Sequence, residues 1–194
     1  VDQDLIVDVA RRLPHVTFAF VGPEQCDLSR LKAYPNIVLL GGKPHAELPS
    51  YIREFDAGLV PYRLSEYTTN VYPTKLNEYL AMGIPVVATD LIEIQRFNRD
   101  HGEIVAIAKD AGAFAEAITR SPAQVTPAEV SRRVDVAGLN SWQTRIHRMT
   151  SQIEEAAAAK AAVEERWDVR LRRTYRAARQ RVFMLGAALV VVYL

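Results

Sequence analysis

Residues 70–90, NVYPTKLNEYLAMGIPVVATD, pack a loop, a short helix, a tight turn and a buried strand into twenty-one residues. Pro73 and Thr74 predict a helix start, because proline fits a first helical turn and threonine can cap it. Leu76 and Leu80 lie four apart, share one helix face and point inward. Gly83 stands where a helix ends in a left-handed residue, and Pro85 follows at the expected distance. Pro85-Val86-Val87-Ala88 is an apolar run of the kind that forms a parallel strand covered on both faces. The stretch therefore reads as one unit of an α/β fold.

The charges of that helix carry the chemistry. Lys75 falls in the first turn, where the positive end of the helix dipole disfavours a cation. Glu78 follows three residues later on the same face. One reading is a solvated i, i+3 ion pair, worth a few tenths of a kcal/mol. The other is an anion held at the helix N-terminus by backbone N–H groups with Lys75 beside them. Glu78 would then accept hydrogen bonds from neutral hydroxyls such as those of a ribose. Helix physics leaves both readings open.

The string P-T-K-L-N-E-Y-L-A-M-G-I-P-V-V-A-T resembles the donor-site signature of nucleotide-sugar glycosyltransferases with two Rossmann domains, the GT-B fold. It is most similar to the retaining group 1 glycosyltransferases of polysaccharide assembly. Their pattern P-x-K-x-x-E-Y-x-A-x-G-x-P-V-V opens the phosphate-facing helix of the C-terminal domain. The resemblance extends over residues 1–153. It implies that Glu78 holds the nucleotide ribose, that Lys75 serves the diphosphate, and that Pro73 and Thr74 line the donor site. Many members carry two glutamates with seven residues between them, the first touching the transferred sugar. Counting back from Glu78 puts Asn70 there, an amide that can hydrogen-bond a hydroxyl but brings no charge to an oxocarbenium-like transition state. Lys75 and Asn70 are thus the candidate catalytic residues.

A chain of 194 residues can bury one core of ordinary size, with an appendage. A formal net charge of +1 argues against a general polyanion binder, so no nucleic-acid partner is expected. One cysteine, Cys26, excludes an internal disulfide and fits a reducing compartment. His15, His45, His101 and His147 are scattered, and no Cys/His spacing suits a metal. No metal or separate cofactor is expected; the nucleoside diphosphate sugar is the donor substrate.

The chain begins without a methionine or a signal peptide and opens on a helical pattern, Leu5, Ile6, Val9 and Leu13. A Rossmann half places a strand before such a helix. The expectation is a fragment that starts after that strand, with a partner N-terminal domain also missing.

Residues 16–21 predict a strand ending at Gly22-Pro23, where glycine at the carboxyl end of a parallel strand permits close approach of a ligand or simply turns the chain. Residues 28–33 read as a short helix and 37–40 as a strand. Gly41-Gly42-Lys43-Pro44 leaves that strand as a loop, which the resemblance lays over the nucleobase. Residues 45–55 predict an amphipathic helix with Leu48, Ile52 and Phe55 inward, and 56–60 a strand. The resemblance brings the end of that strand, Tyr62 and Arg63, into the donor cleft. Residues 64–72 show no period and read as a loop. Beyond Asp90 the alternation continues with a helix at 91–98, a strand at 103–107, and helices at 111–120, 128–138 and 141–153. The resemblance makes Trp142 a packing residue of the closing helices. The expected architecture is a Rossmann-like parallel sheet with helices on both faces, plus a long C-terminal helix.

Residues 154–194 form a second region. From 154 to 181 the pattern is helical, alanine-rich and then arginine-rich: Arg166, Arg170, Arg172, Arg173, Arg176, Arg179 and Arg181 face only Asp168. Residues 182–194 carry no charge. Thirteen residues fall short of the roughly twenty that cross a bilayer. The expectation is a truncated transmembrane segment with its arginines at the cytoplasmic face. The reading is then the donor-binding domain of a glycosyltransferase attached to the inner face of a membrane. A nucleotide-sugar epimerase of the same fold and a non-catalytic membrane-tethered binding module are the alternatives.

Overall fold

The computed structural model describes residues 1–192, with side chains for all of these except 164, 165 and 186–192. The chain divides into two compact units, Val1–Ser141 and Trp142–Leu194.

The first unit alternates helices and strands. In chain order they are α1 (Gln3–Arg12), β1 (Phe18–Val21), α2 (Ser29–Lys32), β2 (Ile37–Gly41), α3 (Leu48–Ile52), β3 (Gly58–Val60), α4 (Glu66–Thr69), α5 (Lys75–Ala81), β4 (Val86–Thr89), α6 (Ile92–His101), β5 (Val105–Ala108), α7 (Ala111–Arg120) and α8 (Pro127–Leu139). Every strand pair is parallel. The strands form two sheets, β1-β2 and β3-β4-β5. The expected parallel α/β architecture is present, but no strand pairing joins β1 to β3 among the described residues.

The unbroken apolar run of β4 explains the layering. All four of its residues are buried, and successive side chains point to opposite faces. Val87 packs into a core with Ile6 and Val9 of α1 and Phe114 and Ile118 of α7. Val86 and Ala88 pack into a second core with Leu76 and Leu80 of α5, Ile94 and Phe97 of α6, and Val136 of α8. Helices therefore cover both faces, as expected.

Local chemistry fixes the ends. Asp2 caps α1 through Leu5 N–H, Asp110 caps α7 through Ala113 N–H, and Thr126 caps α8 through Glu129 N–H. Thr74, expected to cap α5, makes no side-chain cap bond. Its backbone is already helical (φ −58°, ψ −31°), whereas a capping residue is extended. The helix instead opens through the carbonyls of Pro73 and Thr74, which accept from Leu76 and Asn77. Gly83 ends α5 at φ +73°, as its position predicts.

Two readings need correction. The stretch 64–72 contains α4, held by a reciprocal Ser65–Thr68 capping box; four residues are too few to show a period. The helix expected over 45–55 is split into a 3-10 turn, His45–Glu47, and α3, which ends at Ile52. Pro49 sits in the first turn of α3, and its missing N–H forces a fresh helix start there.

The second unit is α9 (Trp142–Val192), one continuous helix. The first unit closes at Ser141, ahead of the 153/154 division read from the sequence, because α9 runs through that point without a break. Trp142, expected to pack, is 71% exposed. The apolar segment 182–194 lies largely outside the residues with described side chains. Among the described residues no helix is long and apolar enough to cross a membrane.

Candidate functional site

Parallel strands bring their carboxyl ends, and the loops that follow, to one edge of each sheet. The sheets β1-β2 and β3-β4-β5 are separate, and β1 and β3 both line one gap, so the chain adds strands away from that gap in opposite lateral directions. Open α/β sheets bind ligands outside the strand ends at such a reversal. A cavity of about 1060 Å³ runs the length of that gap, from His15, Val16 and Thr17 at its amino end to the strand-end residues Val21, Leu40, Pro61 and Tyr62, with Lys75 and Tyr79 also among its walls. A smaller pocket of about 400 Å³, lined by Arg12, Gly112, Glu116 and Arg120 among others, contains no strand-end residue.

Tyr62 and Lys75, both singled out in the sequence, thus share one cavity. Tyr62 is placed by β3 and by Thr89 at the end of β4, whose hydroxyl donates to the Tyr62 carbonyl at 2.9 Å. Lys75 is carried on α5, whose opposite face is anchored by the fully buried Leu76 and Leu80. Its ammonium lies 3.4 Å from a Glu78 carboxylate oxygen, with both side chains substantially exposed. This is the geometry of the i, i+3 pair. It leaves Lys75 at the cavity wall, where an anion can compete with Glu78 for the ammonium. The first-turn amides of Leu76 and Asn77 are engaged by carbonyls, so the positive charge offered to a ligand is chiefly the Lys75 side chain.

Tyr79 is the member of this constellation that sequence reading missed. Its ring packs over Gly58 so closely that a Cβ there has no room. Burial, with smaller contributions from the Glu78 carboxylate and Tyr62, pushes its phenol up to about 12. It is a neutral hydroxyl at the cavity wall throughout the physiological range. The signal was present, since Tyr79 stands inside the motif and next to Glu78, but a helical tyrosine reads as ordinary packing.

The glycine loops form a second group. Gly22 N–H donates to Gly41 O at 2.9 Å, and Gly42 abuts Pro23, with 3.8 Å from its Cβ position to Pro23 N. A Cβ at Gly22 would meet nothing within 4 Å, so the backbone there is open to a neighbour. The Lys43 ammonium sits 5.5 Å above the Tyr51 ring, a cation–π contact. Arg63 is exposed, and its carbonyl accepts from Thr68 Oγ1 at 2.7 Å. Asn70 is the exposed C-cap of α4. Pro73 is buried and Thr74 exposed. Among the described residues no hydrogen bond or ion pair joins Asn70, Arg63 or Lys43 to Lys75 or Glu78. No group of three His, Cys, Asp or Glu able to hold a metal occurs among them either.

A parallel α/β scaffold with a cleft where the strand order reverses is the arrangement of Rossmann-type nucleotide-binding domains. Residues 3–121 match the family described as Glycosyl transferases group 1, and the chain belongs to that family. It is also 33% identical over 104 residues to a Bacillus subtilis (strain 168) protein named as a teichuronic acid biosynthesis glycosyltransferase, TuaH. The match takes in 52% of this chain and 26% of that relative, so it spans about a quarter of the relative's length.

Proposed function

We propose that the chain is the donor-binding part of a glycosyltransferase that moves a sugar from a nucleoside diphosphate sugar to an acceptor hydroxyl in polysaccharide or glycan assembly. One observation carries the reading. Within the segment that matches the family, Lys75 and Tyr62 line a single cavity at the reversal of strand order. In this proposal the Lys75 ammonium stabilises the diphosphate as it leaves, a fixed charge placed where negative charge develops. Glu78 accepts from the ribose hydroxyls, and the neutral Tyr79 hydroxyl borders the same site. Gly42 and Lys43 border the nucleobase, Gly22 lets the ligand approach the end of β1 closely, Arg63 lines the donor cleft, and Asn70 lies toward the transferred sugar. Groups that bind the acceptor come from a further domain, and no metal or cofactor takes part.

The same proposal places the protein at the cytoplasmic face of a membrane. Along α9, Trp167, Leu171, Tyr175, Val182 and Leu185 recur at helical spacing and are all exposed. Arg170, Arg172, Arg179 and Arg181 flank that stripe. An apolar stripe bordered by arginines suits an anionic lipid surface.

Calorimetric titration with uridine and guanosine diphosphates and their parent nucleosides tests the site. Lys75→Ala should weaken diphosphate binding about ten- to a hundredfold and leave the nucleoside unchanged, the loss of one charge-assisted hydrogen bond. Glu78→Ala should weaken nucleoside and diphosphate by a similar factor. Undiminished diphosphate affinity in both variants would return the pair to a solvated surface contact and sink the proposal.

A further inference from the structure

The segment that joins β3 to α5 leaves the cavity and comes back to it. Tyr62 at its start and Lys75 just past its end both line the walls, and α4 lies between them. A four-residue helix has no stability of its own in water, yet this one is braced by side chains. Ser65 N–H donates to Thr68 Oγ1 at 2.9 Å, and Thr68 N–H donates to Ser65 Oγ at 3.3 Å. The buried Thr68 hydroxyl donates to the Arg63 carbonyl at 2.7 Å, and the Thr69 hydroxyl donates to the Ser65 carbonyl at 2.9 Å. Five residues of chain span at most about 18 Å, and the Thr68–Arg63 bond folds α4 back toward the residue that follows Tyr62. The helix is therefore tied beside the cavity.

What this brace displays is Tyr67. Its side chain is 85% exposed, the most of any large apolar residue among those described. Neither its ring nor its hydroxyl has a partner among the described residues. The other tyrosines of the first unit are engaged: Tyr34 meets Arg11, Tyr51 lies under Lys43, Tyr72 packs on Phe97, and Tyr62 and Tyr79 line the cavity. A ring left in water contributes little to the fold, so packing does not account for Tyr67. On the same short segment, Glu66 and Asn70 are also exposed. An open aromatic face with a carboxylate and an amide nearby suits a ligand that is apolar on its faces and hydroxylated around its edge. A pyranose ring has that form. Its C–H bonds present weakly positive hydrogens to the negative face of an aromatic ring. A carboxylate accepts from its hydroxyls, and an amide both donates and accepts.

We propose that Tyr67 is a stacking platform for a sugar ring beside the cavity, with Glu66 and Asn70 bonding hydroxyls at the ring's edge. The proposal rests on the reading of the cavity as a glycosyl-transfer site and adds to it a group that holds a pyranose. The sugar carried by the donor and the sugar that receives it share this chemistry, and the experiment separates them.

The wild type is compared with Tyr67→Ala, Tyr67→Leu and Tyr67→Phe, all of which should melt together because the side chain is exposed. One arm titrates uridine diphosphate glucose against uridine diphosphate, and guanosine diphosphate mannose against guanosine diphosphate, by calorimetry. The other titrates cellobiose and mannobiose without nucleotide and follows the tyrosine ring signals by NMR. Tyr67→Ala and Tyr67→Leu should lose about three- to tenfold in affinity for the sugar-bearing ligands and leave the plain diphosphates unchanged. Tyr67→Phe keeps the aromatic face and should match the wild type. A loss confined to the nucleotide sugars assigns the platform to the donor, and a loss confined to the disaccharides assigns it to the acceptor; either upholds the proposal. Equal sugar affinity in all four proteins overturns it. So does a wild type that binds no disaccharide and gains nothing from the sugar of the nucleotides, a loss in Tyr67→Phe as large as in Tyr67→Ala, or full affinity in Tyr67→Leu. A wild type that binds neither plain diphosphate would strike the nucleotide reading instead, and the disaccharide arm would still decide the role of Tyr67.

Discussion

The turn at Gly83 lets the coupling between motif and scaffold be measured. Gly83 ends α5 at φ +73°, and a Cβ there would lie 2.7 Å from Val130 Cγ1 on α8. Its carbonyl accepts from Arg133 Nη1 at 3.0 Å, so α8 grips the turn from two sides. Gly83→Ala imposes a left-handed conformation on an L-residue, about 1–2 kcal/mol, and drives a methyl into Val130, about 1–3 kcal/mol. The expected total is about 2–5 kcal/mol. Val130→Ala alone should cost about 1 kcal/mol, since it removes two partly buried methyl groups. In the double variant the clash is gone while the backbone strain remains, so Gly83→Ala should then cost only about 1–2 kcal/mol. Urea unfolding of the four proteins, followed by circular dichroism with the slope held constant, gives each difference as a midpoint shift. A Gly83→Ala cost equal in both backgrounds would refute the contact as the source of the coupling.

Two further predictions concern the phenol of Tyr79 and the basic helix. A phenol raised from 10.0 to about 12 by burial binds its proton more tightly folded than unfolded. Its contribution is complete below pH 10 and lost as pH climbs toward 12, at up to about 1.4 kcal/mol per pH unit. Tyr79→Phe should flatten that alkaline loss, and an unchanged slope in pH-dependent urea melts would count against the assignment. For α9, co-sedimentation should show binding to vesicles rich in phosphatidylserine and not to phosphatidylcholine. Arg172→Gln with Arg179→Gln should weaken it by at least about tenfold, at roughly 1 kcal/mol per arginine, and equal binding to neutral vesicles would refute the charge argument.

Much of the scaffold was legible because its signals are local. The end of α5 at Gly83 and the doubly buried β4 follow from one residue type at one position and from one apolar run. The break at Pro49 was equally local, but it stood inside an amphipathic period that masked it. Other features depend on contacts far apart in sequence. Arg133 is 2% exposed, donates to the carbonyls of Gly83 and Gln124, and has a guanidinium whose affinity for its proton is lowered by burial. Nothing in its sequence neighbourhood separates it from an exposed helical arginine such as Arg120. Asn98 is similar: its side chain bonds both the N–H and the C=O of Val105 and so docks α6 to β5. Of the candidate site, the motif residues were legible, and Lys75 and Tyr62 do share a cavity. The cavity itself was not, because it is made by the separation of two sheets.

That separation bears on how the site is held. A helix of seven residues has no stability of its own in water, so α5 exists because Leu76 and Leu80 are buried. Each contributes about 1.5–3 kcal/mol, well beyond the few tenths that the Lys75–Glu78 pair can add. The buried face therefore sets where the charged face points, and the charged face is free to serve a ligand at little cost to the fold. The same core reaches β3 through Val60 and β4 through Val86 and Ala88, so Tyr62 and Lys75 hang from one packed layer. Loops on the β1-β2 side, which carry Gly22, Gly42 and Lys43, hang from the other core. The two halves of the candidate site are thus carried by different layers, and whatever fixes β1 against β3 also fixes the loops that carry Gly22, Gly42 and Lys43 against Lys75.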